Sequence, residues 1–179
     1  MVAPPAGHAL DFDAIYERWF PEAVRWLRAL GGPASDVDDM AQEMFIVVLR
    51  KLEAFDGQNL AGWLYRIAER TASDFRRRAW FRRVFGPSRT ELREDMIQTT
   101  DTPAELFERR ELQQTVNRLL ERMSTRLRAT FVLFEIEGYT IEEIARLQTL
   151  PPATVRTRLH YARKRFVELV RKYELQEQT

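Results

Sequence analysis

The sequence predicts an all-α protein made of two small helical domains joined by a flexible linker. Apolar residues recur at helical spacing through nearly all of its 179 residues, and no segment alternates polar and apolar residues as a half-buried strand would. This periodicity weakens between Phe85 and Pro103, which divides the chain in two. Hydrophobic residues make up 45% of the sequence, enough for the cores of one domain or two small ones.

Three helices are predicted in the first domain, which we place at residues 10–84. The first covers residues 12–30 and contains Pro21, which is expected to kink or divide it. The second spans about residues 36–52, and the third extends from about residue 60 past residue 75. Each has apolar residues repeating every three or four positions, so each should bury one face.

The second domain is placed at residues 103–175 and should hold four helices. Residues 85–102 contain Gly, Pro, Ser and Thr with charges of both signs, a composition typical of a linker. Thr102 and Pro103 are then expected to be the cap and the first residue of a helix that reaches about Met123.

Composition excludes several classes of protein. The chain has no cysteine, which excludes disulfides, zinc fingers and thiol catalysis. No apolar run approaches the roughly 20 residues of a membrane span. The first nine residues are too short and too rich in proline for a signal peptide, so a cytoplasmic location is expected. We expect no cofactor and no metal site.

A helix-turn-helix is predicted near the end of the chain, between Thr140 and Arg165. Thr140 and Glu143 have the spacing of a capping box, and Tyr139 and Ile144 have the spacing of a hydrophobic staple. A turn is expected over residues 148–152, where two prolines prepare a new helix. In DNA-binding proteins the second helix of this motif lies in the major groove.

The second helix of the motif is cationic on the side that should face outward. Seven Lys or Arg residues and one acid lie between Ala153 and Lys172, although the whole chain has a net charge of only +1. Helical spacing turns five apolar residues toward the core: Val155, Leu159, Ala162, Phe166 and Leu169. The opposite face presents Ala153, Thr157, His160, Tyr161 and Lys164. A solvated cationic helix end is the alternative interpretation.

The helix over residues 36–52 has one apolar face and one mostly acidic face. The acidic face comprises Asp39, Gln42, Glu43, Ile46 and Arg50. An apolar residue surrounded by charges is typical of a protein-binding patch, and Ile46 occupies that position. An ordinary solvated face is the alternative. A carboxylate-pair enzyme site is less favoured, because no histidine lies nearby to complete it.

The helix that starts near residue 60 carries a stripe that mixes aromatic rings with cations. The stripe consists of Trp63, Arg66, Arg70, Ser73, Asp74 and Arg77. Eight arginines and two acids lie between Tyr65 and Arg89. Arginine binds phosphates and aromatic rings stack on unpaired bases, which favours single-stranded nucleic acid as a partner. The alternative is that Trp63 and Tyr65 pack in the core and the arginines are solvated.

Four motifs in this order resemble bacterial RNA polymerase sigma factors of the extracytoplasmic-function (ECF) group, within the sigma-70 family. They are YERWFPEAVRWL, DVDDMAQEMFIVVLRKL, FDGQNLAGWLYRIAERTASDFRRR and, after the linker, STRLRATFVLFEIEGYTIEEIARLQTLPPATVRTRLHYARKRF. The resemblance covers about residues 10–84 and 104–172. It implies a sigma2-like helical bundle followed by a sigma4-like helix-turn-helix domain, and a non-catalytic role in transcription initiation.

The resemblance also implies partners and the residues that meet them. The acidic face would dock on the β′ clamp helices of core RNA polymerase, and the second domain would rest on the β flap. The melted minus-ten strand would meet Phe55, Asp56, Asn59, Trp63, Arg66, Arg70, Asp74, Arg76 and Arg77. The duplex minus-thirty-five element would meet Ala153, Thr154, Arg156, Thr157, His160 and Tyr161, with Arg158, Arg163 and Lys164 nearer phosphates or polymerase. An anti-sigma factor is expected as a further partner.

Three positions depart from the pattern of that family. Glu69 and Arg70 stand where Arg-Asn is usual, and Thr149 replaces the glycine of the turn, which implies either a turn without positive φ or a tolerated strain. Tyr161 stands where arginine is common, and tyrosine cannot bind guanine bidentately. A stand-alone helix-turn-helix regulator is the alternative function, and a metal-dependent nuclease is a more distant one.

Overall fold

The computed structural model describes residues 11–85 and 103–177, and all regular structure in those ranges is helical. Helices α1 to α3 span Phe12–Ala29, Val37–Lys51 and Leu60–Phe85. Helices α4 to α7 span Pro103–Glu121, Thr125–Phe131, Ile141–Gln148 and Pro152–Glu177, and α5 continues into a π-helical turn over Val132–Ile136. The predicted all-α fold is confirmed. The expected linker and the cap at Thr102 lie outside the described residues.

Helix α1 is one continuous element, so Pro21 does not divide it. Asp11 caps its start, where the side chain accepts a hydrogen bond of 3.1 Å from the amide of Asp13. Pro21 lies inside the helix on an exposed side and removes a single backbone donor. Trp26 and Leu27 in the following turns are fully buried, and their packing offsets that loss.

The described residues build one hydrophobic core that joins both halves of the chain. Trp26, Phe45 and Leu64 contribute to it from the first three helices, Leu133 from the π-helical turn after α5, and Ile144 from α6. The predicted apolar face of α2 lies in this core, and that of α7 is buried except for Phe166, which is half-buried against it. The two domains therefore pack against each other along α1, α3, α5 and α6 rather than standing apart.

The predicted helix-turn-helix is formed by α6 and α7. The Thr140 hydroxyl accepts from the amide of Glu143 at 3.2 Å, while the Glu143 carboxylate accepts from the amide of Thr140 at 2.8 Å, which confirms the capping box. These hydrogen bonds hold the pKa of Glu143 below its ordinary value. Thr149 then adopts a left-handed conformation with φ 53° and ψ 52°. The turn does need positive φ, and threonine tolerates it here.

Replacing Thr149 with glycine is expected to stabilise the fold, because a β-branched residue is strained in the left-handed region. Relief of about 1 kcal/mol should raise the melting temperature by roughly 2–4 °C for a chain of this size. Thermal denaturation followed by circular dichroism measures the shift. Thr157→Gly, within α7, is the control and should lower stability by roughly 0.3–0.5 kcal/mol, the difference in helix propensity between threonine and glycine. Equal losses at both positions would contradict a strained turn.

Candidate nucleic-acid and protein interfaces

The acidic face of α2 is open to solvent over its whole length. Asp39, Gln42, Glu43, Ile46 and Arg50 are all exposed, while the opposite face of the helix is buried. Ile46 is 50% exposed. Sequence reasoning missed Leu49, which is 54% exposed, although its spacing of three from Ile46 could have indicated it. Two large aliphatic side chains within a charged rim are characteristic of a protein-binding patch.

An arginine of α3 fixes the geometry of this acidic face. Arg78 donates to both carboxylate oxygens of Glu43, with Nη1–Oε1 at 3.2 Å and Nη2–Oε2 at 3.0 Å. This two-pronged geometry orients Glu43 more firmly than a single contact would. Because the partners lie 35 residues apart, no local spacing could have predicted the pair.

Most of the predicted strand-binding stripe lies exposed along α3. Arg66, Arg70 and Arg77 are exposed, and Asp74 pairs with Arg77 at 3.0 Å. The Trp63 ring is half-buried and lies against Phe55 with 4.7 Å between ring centroids. This pair gives the stripe an aromatic end beside its cations, an arrangement suited to unpaired bases.

Tyr65 and Arg76 do not belong to this exposed stripe. Tyr65 is fully buried against Trp26, so the packing interpretation holds for it, and burial raises the pKa of its hydroxyl. Arg76, expected at the strand surface, is half-buried and donates to the carbonyl of Leu30 at the end of α1. Burial lowers the pKa of Arg76, and the helix C-terminus offsets part of that cost.

The loop before α3 is held by its own polar side chains. Asp56 accepts from the amide of Gln58 at 2.9 Å. Asn59 has a positive φ of 44°, and its side-chain oxygen caps α3 by accepting from the amide of Gly62 at 3.1 Å. The side-chain nitrogen of Asn59 donates to the carbonyl of Arg146 in α6 at 3.0 Å. Both ends of the Asn59 amide are therefore occupied.

The outward side of α7 presents most of the residues predicted to read duplex DNA. The exposed members are Ala153, Arg156, Thr157, His160, Tyr161, Arg163 and Lys164, and Thr154 is half-buried. Tyr161 is 57% exposed, and its ring meets that of His160 edge-on at 5.5 Å. Two aromatic rings at this place favour apolar contacts with base edges over bidentate hydrogen bonds.

The three arginines of α7 that were predicted to contact DNA or polymerase have partners within the protein. Arg156 pairs with Glu142 at 3.2 Å, and Arg163 with Glu135 at 2.6 Å. Both pairs are exposed, so each costs little to exchange for a phosphate. Arg158 differs, because it is half-buried and donates to the side-chain oxygen of Gln148 at 3.2 Å, away from the outward surface.

Within residues 11–85 and 103–177, no group of three or more potential metal-binding side chains occurs. The same ranges contain no helix long and apolar enough to cross a membrane.

Taken together, the described residues form an all-helical fold with a helix-turn-helix, an exposed acidic face on α2 and an exposed arginine stripe on α3. Comparison with known families makes this specific, since residues 15–82 match sigma-70 region 2 and residues 113–166 match sigma-70 region 4. The chain belongs to the sigma-70 family and is an ECF-type sigma factor, a class of regulatory proteins that direct RNA polymerase to promoters.

Curated relatives agree with this assignment, and solved structures share the fold. The ECF RNA polymerase sigma-E factor of Escherichia coli is 34% identical over 146 residues, covering 74% of this chain and 72% of that protein. Its namesake from Haemophilus influenzae is 33% identical over 139 residues, covering 73% and 72%. Among solved structures, the sigma factor RpoE in complex with the anti-sigma factor NepR from Bartonella quintana superposes with a TM-score of 0.61. That match has 21% identity and covers 90% of this chain and 97% of that one.

A second solved structure has the same fold. CnrH in complex with the cytosolic domain of CnrY superposes with a TM-score of 0.60 and 24% identity, covering 93% of this chain and 91% of that one. Both structures cover the two helical domains, which places the complete described fold within a known architecture.

Proposed function

We propose that this sigma factor holds its promoter at two points and docks on polymerase through a third surface. The exposed aromatic and arginine stripe of α3 takes the melted minus-ten strand, and the outward face of α7 takes the duplex minus-thirty-five element. The acidic face of α2 takes the β′ clamp helices, and the second domain rests on the β flap. The exposure of all three surfaces on one small chain carries this proposal.

The docking surface consists of Asp39, Gln42, Glu43, Ile46 and Arg50, extended by Leu49. Charged residues around two exposed aliphatic side chains suit a partner with a basic and apolar surface. The Arg78 pair holds the Glu43 carboxylate in place, which reduces the entropy that binding must remove. A stand-alone regulator would have no use for such a surface.

The minus-ten surface centres on Trp63, Arg66, Arg70 and Arg77, with Phe55 and Asp56 in the preceding loop. Extruding a base costs a few kcal/mol, and stacking on an aromatic ring offsets part of that cost. Asp74 keeps Arg77 aligned along the helix. Arg76 and Asn59 would join this surface only after releasing the backbone carbonyls of Leu30 and Arg146, to which they donate.

Transcription from a promoter library tests this function. The purified chain is mixed with core RNA polymerase and a pool of random promoter sequences, and transcript starts are sequenced. We expect initiation at a small set of promoters that share two elements. Initiation that ignores sequence, or none at all, would contradict the proposal. A sigma factor does not need to bind DNA in the absence of polymerase, whereas a stand-alone regulator does. Failure of the free chain to bind DNA would therefore be consistent with the proposal.

The same function implies where the chain acts and what controls it. Core polymerase and promoter DNA lie in the bacterial cytoplasm, so we place the chain there. The solved neighbour RpoE is in complex with the anti-sigma factor NepR, and CnrH is in complex with the cytosolic domain of CnrY. An anti-sigma partner for this chain is therefore part of the proposal.

A further inference from the structure

Apolar groups dominate the outward face of α7 in its first three turns. Ala153, Thr157, His160 and Tyr161 are all exposed and follow one another at helical spacing. The Thr157 hydroxyl donates to the carbonyl of Ala153 at 3.0 Å, so its proton is used within the helix. This face therefore offers two methyl groups and two aromatic rings to the edge of a base pair.

His160 and Tyr161 form a ring pair at the centre of this face. Their ring centroids lie 5.5 Å apart with 73° between the planes, an edge-to-face geometry that restricts the rotation of both rings. Tyr161 is 57% exposed, so the pair projects from the helix surface instead of packing in the core. Rings that are already held in place lose little entropy when they contact a ligand.

The arginines that flank this face are directed toward other parts of the chain. Arg156 pairs with Glu142 of α6 at 3.2 Å. Arg163 pairs with Glu135, and its guanidinium lies 5.3 Å from the centre of the Phe134 ring, both in the π-helical turn after α5. Reading guanine requires a guanidinium that points straight at the base edge with two parallel donors. These arginines are placed to the sides, where the phosphates of a groove lie.

A groove beside Tyr161 contains groups that bind phosphates. Its polar lining has three cations against one acid: Arg122, Ser124, Lys164, Arg165 and Glu168. Arginine, lysine and serine side chains commonly contact DNA phosphates, and such contacts fix the register of a recognition helix. A strand whose phosphates lie in this groove would bring its base edges next to the Tyr161 ring.

We propose that α7 selects thymine through contacts to its C5 methyl group, and that Tyr161 sets this preference at one base pair. Thymine is the only base with a methyl group in the major groove, and alanine, threonine methyl and aromatic side chains are its usual apolar contacts. Between Ala153 and Tyr161 the helix rises about 12 Å, which spans about three or four base pairs at 3.4 Å each. This inference rests on the proposed function and names the base that the same surface prefers.

Deoxyuridine substitution in a promoter tests the methyl contacts directly. Core polymerase with the full chain is bound to a promoter recovered from the random library. Each thymine of its upstream element is replaced in turn by deoxyuridine, which removes the methyl group and keeps the O4 acceptor. At one thymine or more, affinity should fall about fourfold, as expected for one buried methyl group. Deoxyuridine in the spacer between the two elements is the control and should have no effect.

Substitutions at Tyr161 assign one of these contacts to its ring. Tyr161→Ala should reduce the deoxyuridine effect at one base pair to less than about twofold, whereas Tyr161→Phe keeps the ring and should retain most of it. Tyr161→Arg should change the preference at that base pair to guanine, by about fivefold or more. Val167→Arg adds the same charge at another exposed position of α7 and should leave the base preference unchanged. Circular dichroism checks that each variant keeps its helices.

The outcomes separate this inference from the proposed function. Promoter-specific initiation with no deoxyuridine effect at any thymine would overturn thymine selection and leave the proposed function intact. An upstream element without thymine would do the same. Deoxyuridine effects that all persist in Tyr161→Ala would overturn the role of Tyr161. Initiation without any sequence preference would overturn the proposed function, and thymine selection with it.

Discussion

Replacing Asp39, Gln42 and Glu43 together with alanine is expected to weaken binding to core RNA polymerase at least about 100-fold. Losing a cluster of interface charges and hydrogen bonds commonly costs about 3 kcal/mol, which corresponds to that factor. The fold should survive, because all three side chains are exposed and none contributes to the core. Fluorescence anisotropy of the labelled chain titrated with core polymerase measures the loss.

The control for this triple variant removes acids from a different helix. Asp13→Ala with Glu17→Ala changes two exposed residues of α1 and should leave polymerase affinity within twofold. Ile46→Asp is a second test of the same surface, since it places a charge where an exposed aliphatic side chain should meet the partner. Polymerase affinity that withstands both changes on α2 would show that docking occurs elsewhere.

Trp63→Ala is expected to reduce open-complex formation by roughly 5- to 150-fold. Stacking of one base on an aromatic side chain contributes about 1–3 kcal/mol, and the ring beside Phe55 supplies the flat surface for it. The fluorescence of a 2-aminopurine base placed in the minus-ten element reports opening directly. Binding to the duplex minus-thirty-five element lies on the other domain and should change little.

A conservative substitution separates stacking from packing at this position. Trp63→Phe keeps an aromatic ring and should retain most of the opening activity, whereas Trp63→Ala should not. Melting temperatures of both variants measure the packing contribution, because Trp63 is half-buried. Equal defects in the two variants would argue that the ring acts through packing against Phe55 and not through the DNA strand.

Helix positions were predictable because their causes are local. The 3.6-residue repeat of apolar side chains located α2, and its two faces lie as the repeat predicted. The capping box at Thr140 and Glu143 marked the start of α6 within four residues of sequence. Pro21 lies inside a helix that continues on both sides of it, so packing of the following turn outweighed its local tendency to divide the helix.

The sequence predicted those parts of the candidate sites that lie on one face of a single helix. Exposure of the acidic face and of the α3 stripe followed from periodicity. The sequence could not reveal that Arg76 donates to the carbonyl of Leu30, 46 residues earlier, or that Arg78 donates to the carboxylate of Glu43. Such pairs depend on which helix faces pack together. Because their members lie tens of residues apart, the periodic pattern of the sequence carries no information about them.

The sequence by itself determined that the chain is helical, has two domains and belongs with the sigma factors. Local periodicity, caps and motif order are all short-range features. Only the tertiary structure decided that the two domains pack together, that Tyr65 is buried, and that Arg158 faces Gln148 instead of the outward surface. The physical reason is that packing of one amphipathic helix on another depends on shape and buried polar partners, which come together only when the chain has folded.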